Sequence, residues 1–197
     1  RLKKILPDII SPSQKGFLKD RFIGENTRLV FDVMQYLEEK DKDGLIVLAD
    51  FEKAFDSVEW AYLDRVLTAY NFGDAFKQWF RTLYTDPESC VINCGHFSEF
   101  FKLERGCRQG DPLSPYLFLL AIEPLAMALK NNRHIKGIKM GGQVYKVGQY
   151  ADDTFLLLEG DEASLRETIR TFNDFYKCAG LKLNVEKTVA AWLGRRR

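Results

Sequence analysis

Three aspartates carry the chemistry this chain is equipped for. Asp152 and Asp153 are adjacent in Tyr150-Ala151-Asp152-Asp153, and Asp50 closes the apolar run Leu45-Ile46-Val47-Leu48-Ala49 about a hundred residues upstream. Like charges brought together repel, and unpaired charges resist burial. Divalent cations relieve both problems. Oxygen-only ligation suits Mg²⁺ or Mn²⁺, and Mg²⁺ usually takes one or two carboxylates plus substrate phosphates. Two such ions about 3.5–4 Å apart form the clamp used in phosphoryl and nucleotidyl transfer. An Asp-Asp pair is also ordinary turn chemistry, so the aspartates alone leave both readings open.

The elements that must position them follow from hydrophobic periodicity. Residues 144–149 and 154–158 read as strands, so the tight link between them is a hairpin with the carboxylates at its tip. Residues 45–50 read as a buried strand; beside the hairpin, it would bring three carboxylates to one exposed point. The spacing predicts helices over 25–40, 58–70, 74–84, from 112 or 114 to 130 with a kink at Pro124, and over 163–179 ending at Gly180. A hairpin over 89–93 and 97–103 turns near Cys94-Gly95, residues 137–140 form a further strand, and 182–192 are extended. Residues 1–24 read as irregular, because Pro7, Pro12, Gly16 and Gly24 interrupt helices. Strands and helices interleaved with hairpins give an α+β class: an antiparallel sheet with helices packed on one face.

A chain of 197 residues, 46% hydrophobic and 29% charged, is long enough for one or two cores. No apolar run reaches membrane-spanning length, since the longest, 115–129, is interrupted by Glu123 and Pro124. No signal peptide is visible, and Cys90, Cys94, Cys107 and Cys178 lack the spacing of a zinc site or disulfide framework. The expected setting is reducing and intracellular. Net charge is only +1, but its distribution is uneven. Up to residue 28 there are seven basic residues against three acids; from Glu38 to Asp64 there are nine acids and three lysines; the tail ends Arg195-Arg196-Arg197. A basic arm and tail around an acidic centre suit a polyanion held over a metal site.

The segments now resemble one family. Leu48-Ala49-Asp50-Phe51-Glu52-Lys53-Ala54-Phe55-Asp56 is similar to motif A of reverse transcriptases. Arg105-Gly106-Cys107-Arg108-Gln109-Gly110-Asp111-Pro112-Leu113-Ser114-Pro115 resembles motif B, Tyr150-Ala151-Asp152-Asp153 motif C, and Gly180-Leu181-Lys182-Leu183-Asn184-Val185-Glu186-Lys187-Thr188 motif D. Ser11-Pro12-Ser13-Gln14-Lys15-Gly16-Phe17 with Arg21 resembles the preceding fingers motif. The wording is nearest to non-LTR (LINE-type) retrotransposon proteins, and five motifs in order make the resemblance specific.

The resemblance implies a right-hand polymerase, with a partial fingers segment at 1–44 and a palm with interleaved fingers elements at 45–197. It implies RNA-directed addition of deoxynucleotides (dNTPs) to a DNA primer 3′-OH on an RNA template, in the cytoplasm and nucleus. By resemblance Asp50, Asp152, Asp153 and the main-chain carbonyl of Phe51 would hold two Mg²⁺ ions, with Mn²⁺ as the alternative. Phe55 matches the steric gate against a ribonucleotide 2′-OH. Gln109 and Gly110 match the segment against the nascent base pair, Lys187 a proton donor to pyrophosphate, and Arg21 a contact to template or incoming nucleotide. The upstream fingers strands, thumb, endonuclease and cysteine-rich region of full-length members would lie outside these residues, so the isolated chain is expected to be weak or inactive. Two alternatives stay open: an inert nucleic-acid-binding remnant, and a two-metal nuclease or phosphatase, which would need the carboxylates but not Phe55 or Gln109.

Overall fold

The structure, a computed structural model, describes residues 2–195; Arg1, Arg196 and Arg197 of the basic arm and tail lie outside the described residues. In chain order the elements are α1 (Leu2–Ile9), α2 (Ile23–Glu39), β1 (Asp43–Ala49), α3 (Ala54–Ser57), α4 (Trp60–Ala69) and α5 (Asp74–Leu83). Four two-residue strands follow: β2 (Glu88–Ser89), β3 (Ile92–Asn93), β4 (His96–Phe97) and β5 (Phe101–Lys102). The chain continues through α6 (Ser114–Asn131), β6 (Ile138–Met140), β7 (Gln143–Tyr145), β8 (Val147–Tyr150), β9 (Asp153–Leu158), α7 (Glu162–Ala179) and β10 (Val189–Gly194).

The central sheet runs β10-β1-β9-β8, every neighbouring pair antiparallel. Its two inner strands, β1 and β9, are rich in Leu, Ile and Val, as strands covered on both faces must be. Side chains alternate between faces. Leu45, Val47 and Ala49 of β1 join Leu156 and Leu158 of β9 in the larger core, with Leu117, Phe118, Leu120 and Leu125 of α6 and Phe172 of α7. Ile46 and Leu157 face the other way, into a smaller core closed by Val33 and Leu37 of α2 and Leu193 of β10.

The α+β class and the antiparallel sheet are thus as the sequence indicated, with one correction: helices cover both faces. The periodic apolar stripe of α2 needs a partner, and the even-numbered side chains of β1 supply it. The N-terminal arm also differs from expectation. Residues 2–9 are helical despite Pro7, since a proline removes a single donor while Leu6 and Ile10 are buried in the core that holds α6. The single strand expected over 144–149 divides. The Gly141-Gly142 turn, both at positive φ, folds β7 onto β6, whereas β8 pairs with β9. At the break, the Lys146 ammonium donates to the Lys130 and Asn132 carbonyls at the end of α6. The expected helix over 58–70 begins only at Trp60, and the extended stretch over 182–192 contains a turn at 185–187 before β10.

Candidate active site

The register of the sheet decides where the aspartates go. Ala49 pairs with Thr154, so Asp50, one residue past β1, stands beside Asp153, the first residue of β9. Tyr150 pairs with Asp153 across the hairpin, leaving Ala151-Asp152 as its two-residue tip. Alternation places Asp50 on the face of Ile46 and Leu48, and Asp153 on the face of Phe155 and Leu157. These are the same face. Both carboxylates line a groove of about 590 Å³ between α2, β1, β9 and the start of β10, together with Asn26, Phe31, Tyr150 and Lys187. That volume lies within the range of small-ligand sites.

Lys187 reaches the groove because its turn is tied to Asp50. The Asn184 N–H donates to the Asp50 carbonyl at 2.8 Å, and the Asp50 N–H donates to the Thr188 hydroxyl at 3.4 Å. The Thr188 N–H and hydroxyl both donate back to the Asn184 carbonyl, at 2.9 and 2.7 Å. Phe51 faces the other way: its side chain is buried, with its ring 5.8 Å from that of Phe172, so only its main chain is available at this edge.

Asp152 behaves differently from its neighbour. It is half-buried, and its carboxyl is held above the ordinary carboxylate range, first by desolvation and then by the charges of Asp153 and Asp50. Asp152 therefore lies within electrostatic reach of both Asp153 and Asp50. Their side chains, however, do not close into a cage: among the described residues no group of three or more His, Cys, Asp or Glu side chains is gathered tightly enough to hold an ion. This corrects the expected convergence on one point. Asp153 lines the groove from the start of β9, while Asp152 sits in the hairpin bend beside the left-handed Ala151. An all-carboxylate donor set in mutual repulsion still fits hard divalent cations in its chemistry.

A second cluster forms where the loop over 104–111 docks on α3 and the start of α4. The Cys107 N–H donates to the Phe55 carbonyl at 2.6 Å, the Gly106 N–H to the Val58 carbonyl at 2.8 Å, and the Trp60 indole to the Gly106 carbonyl at 2.8 Å. Gly106 is required there: its φ is +97°, and a Cβ would fall 2.9 Å from the Asp56 carbonyl oxygen. The docked loop puts Phe55, Arg108, Gln109 and Gly110 around one pocket at the entry to α6. Phe55 lies flat on Phe118, with centroids 4.2 Å apart and planes at 15°. The Gln109 amide donates to Asp56 at 3.3 Å.

Residues 1–194 match the family described as reverse transcriptase (RNA-dependent DNA polymerase). The chain belongs to the reverse transcriptase family. It is 33% identical over 159 residues to the transposon TX1 uncharacterized 149 kDa protein of Xenopus laevis, which covers 81% of this chain and 12% of that one. It is 32% identical over 179 residues to the Pol polyprotein of the type-2 retrotransposable element R2DM of Drosophila melanogaster, covering 89% of this chain and 16% of the relative. The chain therefore spans less than a fifth of these two relatives. In three dimensions it resembles the telomerase of Candida tropicalis solved with a TWJ fragment of telomeric RNA, with a TM-score of 0.71 at 14% identity over 97% of this chain and 32% of that one. At that identity the likeness establishes the fold.

Within this reverse transcriptase domain, Arg21 stands apart from the other expected site residues. Its two terminal nitrogens donate to four carbonyl oxygens, those of Ser11 at 2.6 Å, Gln14 at 2.9 Å, Pro7 at 2.9 Å and Ile10 at 2.8 Å. The guanidinium is committed to holding the arm between α1 and α2, and desolvation lowers its pKa. Sequence reasoning assigned no role to Asn26, Phe31 or Tyr150, which line the aspartate groove, nor to Gln14 and Phe17. For the last two, and for Tyr150, the signal was present, because they lie inside the fingers motif and motif C; Asn26 sits on the buried face of α2 and Phe31 on its exposed side, and no sequence signal singles out either.

Proposed function

We propose that this domain copies an RNA template into DNA by adding dNTPs to a primer 3′-OH, as the polymerase of a non-LTR retrotransposon acting in the cytoplasm and nucleus. The observation that carries this reading is the β1–β9 register, which sets Asp50 beside Asp153 at the base of the Asp152 tip. Asp50, Asp152, Asp153 and the Phe51 carbonyl are the residues that would hold two Mg²⁺ ions, or Mn²⁺ in their place. When bound, such ions supply the positive charge that favours an ionised primer hydroxyl and a triphosphate leaving group.

The chain's own residues then divide the work. Phe55, its ring fixed against Phe118, leaves a ribose 2′-OH crowded and without a hydrogen-bond partner. Gln109 and Gly110 present the floor of the same pocket to the nascent base pair; the space beside Gly110 is open, with no atom within 4 Å of where a Cβ would stand. Lys187 lines the aspartate groove and is exposed, which supports its role as the proton donor to departing pyrophosphate. Arg21 acts through the arm it holds. Residues 1–44 serve as the fingers segment and 45–197 as the palm.

The test is extension of a labelled DNA primer on an RNA template with Mg²⁺ and dNTPs, using this sequence within its native flanks. Asp152→Asn is expected to abolish extension while primer–template binding persists, because the carboxylates act on the transition state. Retained extension by that variant would remove the metal-holding role. Template binding with no extension by the unaltered chain would favour an inert nucleic-acid-binding remnant.

A further inference from the structure

The tip that presents Asp152 is not held by its own hairpin alone. Ala151 has φ +54°, the left-handed region, which is unfavourable for a residue with a Cβ. Something must stabilise that conformation, and the surrounding bonds show what does. The side-chain amide of Gln14, fully buried, grips both main-chain groups of Ala151: its Oε1 accepts the Ala151 N–H at 2.8 Å, and its Nε2 donates to the Ala151 carbonyl at 3.0 Å. The same Oε1 accepts the Gly16 N–H at 2.8 Å.

The arm bearing Gln14 is itself laid along β8 as an extra strand. The Gln149 N–H donates to the Ser13 carbonyl, and the Lys15 N–H to the Gln149 carbonyl, each at 2.9 Å; Gln14 and Gln149 form a parallel bridge. Asn26 of α2 adds a 2.9 Å bond to the same Gln149 carbonyl. Lys130 and Glu123 of α6 fix the start of the arm through the Ser11 and Ser13 hydroxyls. Gly16 allows the approach: a Cβ there would fall 2.4 Å from the Ala151 nitrogen, a main-chain atom that cannot swing aside.

We propose that Gln14 is a positioning residue for the reaction, holding Ala151 left-handed so that the Asp152 carboxylate is aimed at the Asp50 edge. This rests on the reading that Asp152 acts in catalysis, and it extends that reading to a residue in a different part of the chain. Gln14 touches no reacting atom. Only a side chain with a donor and an acceptor at this reach can satisfy both Ala151 groups. Gln14→Glu keeps the acceptor but turns an oxygen toward the Ala151 carbonyl; Gln14→Met keeps the volume and loses both bonds.

The experiment uses this sequence in its native flanks and reads two quantities. The first is amide hydrogen exchange at residues 149–153. Gln14→Met and Gln14→Glu are expected to speed exchange at Ala151 while the rest of β1 and β9 stays protected. The second is primer extension: kcat should fall about 100-fold, the scale of a roughly 1 Å misplacement, with KM for dNTP and primer–template affinity unchanged. Ala151→Gly, which makes the left-handed conformation inexpensive, should restore part of the kcat lost in Gln14→Met. A merely structural role would lower stability throughout and would not be rescued at residue 151. Faster exchange with unchanged kcat, or no change at Ala151, overturns the proposal. Activity retained by Asp152→Asn would instead overturn the catalytic reading, whatever Gln14 does.

Discussion

Phe17 meets Phe55 edge-on, with ring centroids 6.3 Å apart and planes at 89°. The residue before it, Gly16, lies against the Ala151 main chain. Two consecutive residues of the N-terminal arm therefore touch both halves of the site: the tip that carries Asp152 and the ring expected to exclude a 2′-OH. The arm thus caps, edge-on, an aromatic row that continues through Phe55 to Phe118. Motif residues that look independent along the chain are coupled through this contact.

The first consequence concerns sugar selection. Phe55→Val opens the space in front of a ribose, and relative use of a ribonucleotide should rise about 100-fold, measured as the ratio of kcat/KM for dCTP and CTP. The variant also loses the flat contact with Phe118, so stability should drop by about 1 kcal/mol in urea unfolding. Unchanged discrimination with that stability loss would make Phe55 simply a core ring.

Arg21 makes the opposite kind of prediction. Its four carbonyl contacts bind the arm, and a lysine at this position has neither the fork nor the reach to keep them. Arg21→Lys should cost about 2 kcal/mol, seen as a lower urea midpoint, because buried carbonyl groups lose their donors. If Arg21 served only the nucleotide, KM would change and the midpoint would not.

Thiol chemistry separates the cysteines. Burial pushes the Cys107 thiol up to about 12, with Asp111 adding to the effect, while Cys94 and Cys178 are exposed. Against an ordinary value of 9.0 the thiolate fraction of Cys107 is lower by roughly a thousandfold. Iodoacetamide at pH 8 should label Cys94 and Cys178 in the folded chain and reach Cys107 only in urea, which peptide mass mapping reads directly.

Glu123 predicts a pH dependence. Burial raises its pKa above the ordinary carboxylate value of 4.5, against the pull of the Ser11 bonds and of Lys130 and Arg21. A folded group with a raised pKa holds its proton more tightly than the unfolded one, so its contribution is fully present below the unfolded value and is lost as pH rises through the folded one. The stability difference between the wild type and Glu123→Gln should therefore shift against the wild type on going from pH 4 to pH 7. Urea midpoints at the two pH values check the sign; a constant difference would mean that Glu123 has the same pKa in both states.

Much of the site is legible along the chain because it depends on local order. Asp50 must end a strand and Asp152-Asp153 must turn a hairpin, and strand periodicity with turn-forming residues is enough to say so. The same local logic fails where a residue's surroundings come from elsewhere. Pro7 argues against a helix, yet the buried contacts of Leu6 outweigh one missing donor. Residues 144–149 look like one strand, but two different partners claim its halves. Arg21 reads as a cation for a nucleotide and proves to bind four carbonyls, since one sequence pattern serves a phosphate or a main-chain oxygen equally well.

The amino-acid sequence by itself carried the motifs that place the chain in its family, and residue type and spacing determined most of the longer helices and strands and which acids stand at strand ends. Only the tertiary structure decided that Asp50 and Asp153 share a face while Asp152 takes the bend, that α2 covers the second side of the sheet, and that Gln14 grips Ala151 from 137 positions away. The physical reason is that register and long-range hydrogen bonds depend on which surfaces meet in the folded chain. A pattern of side chains fixes what each strand can bury, and the partner that buries it is chosen only on folding.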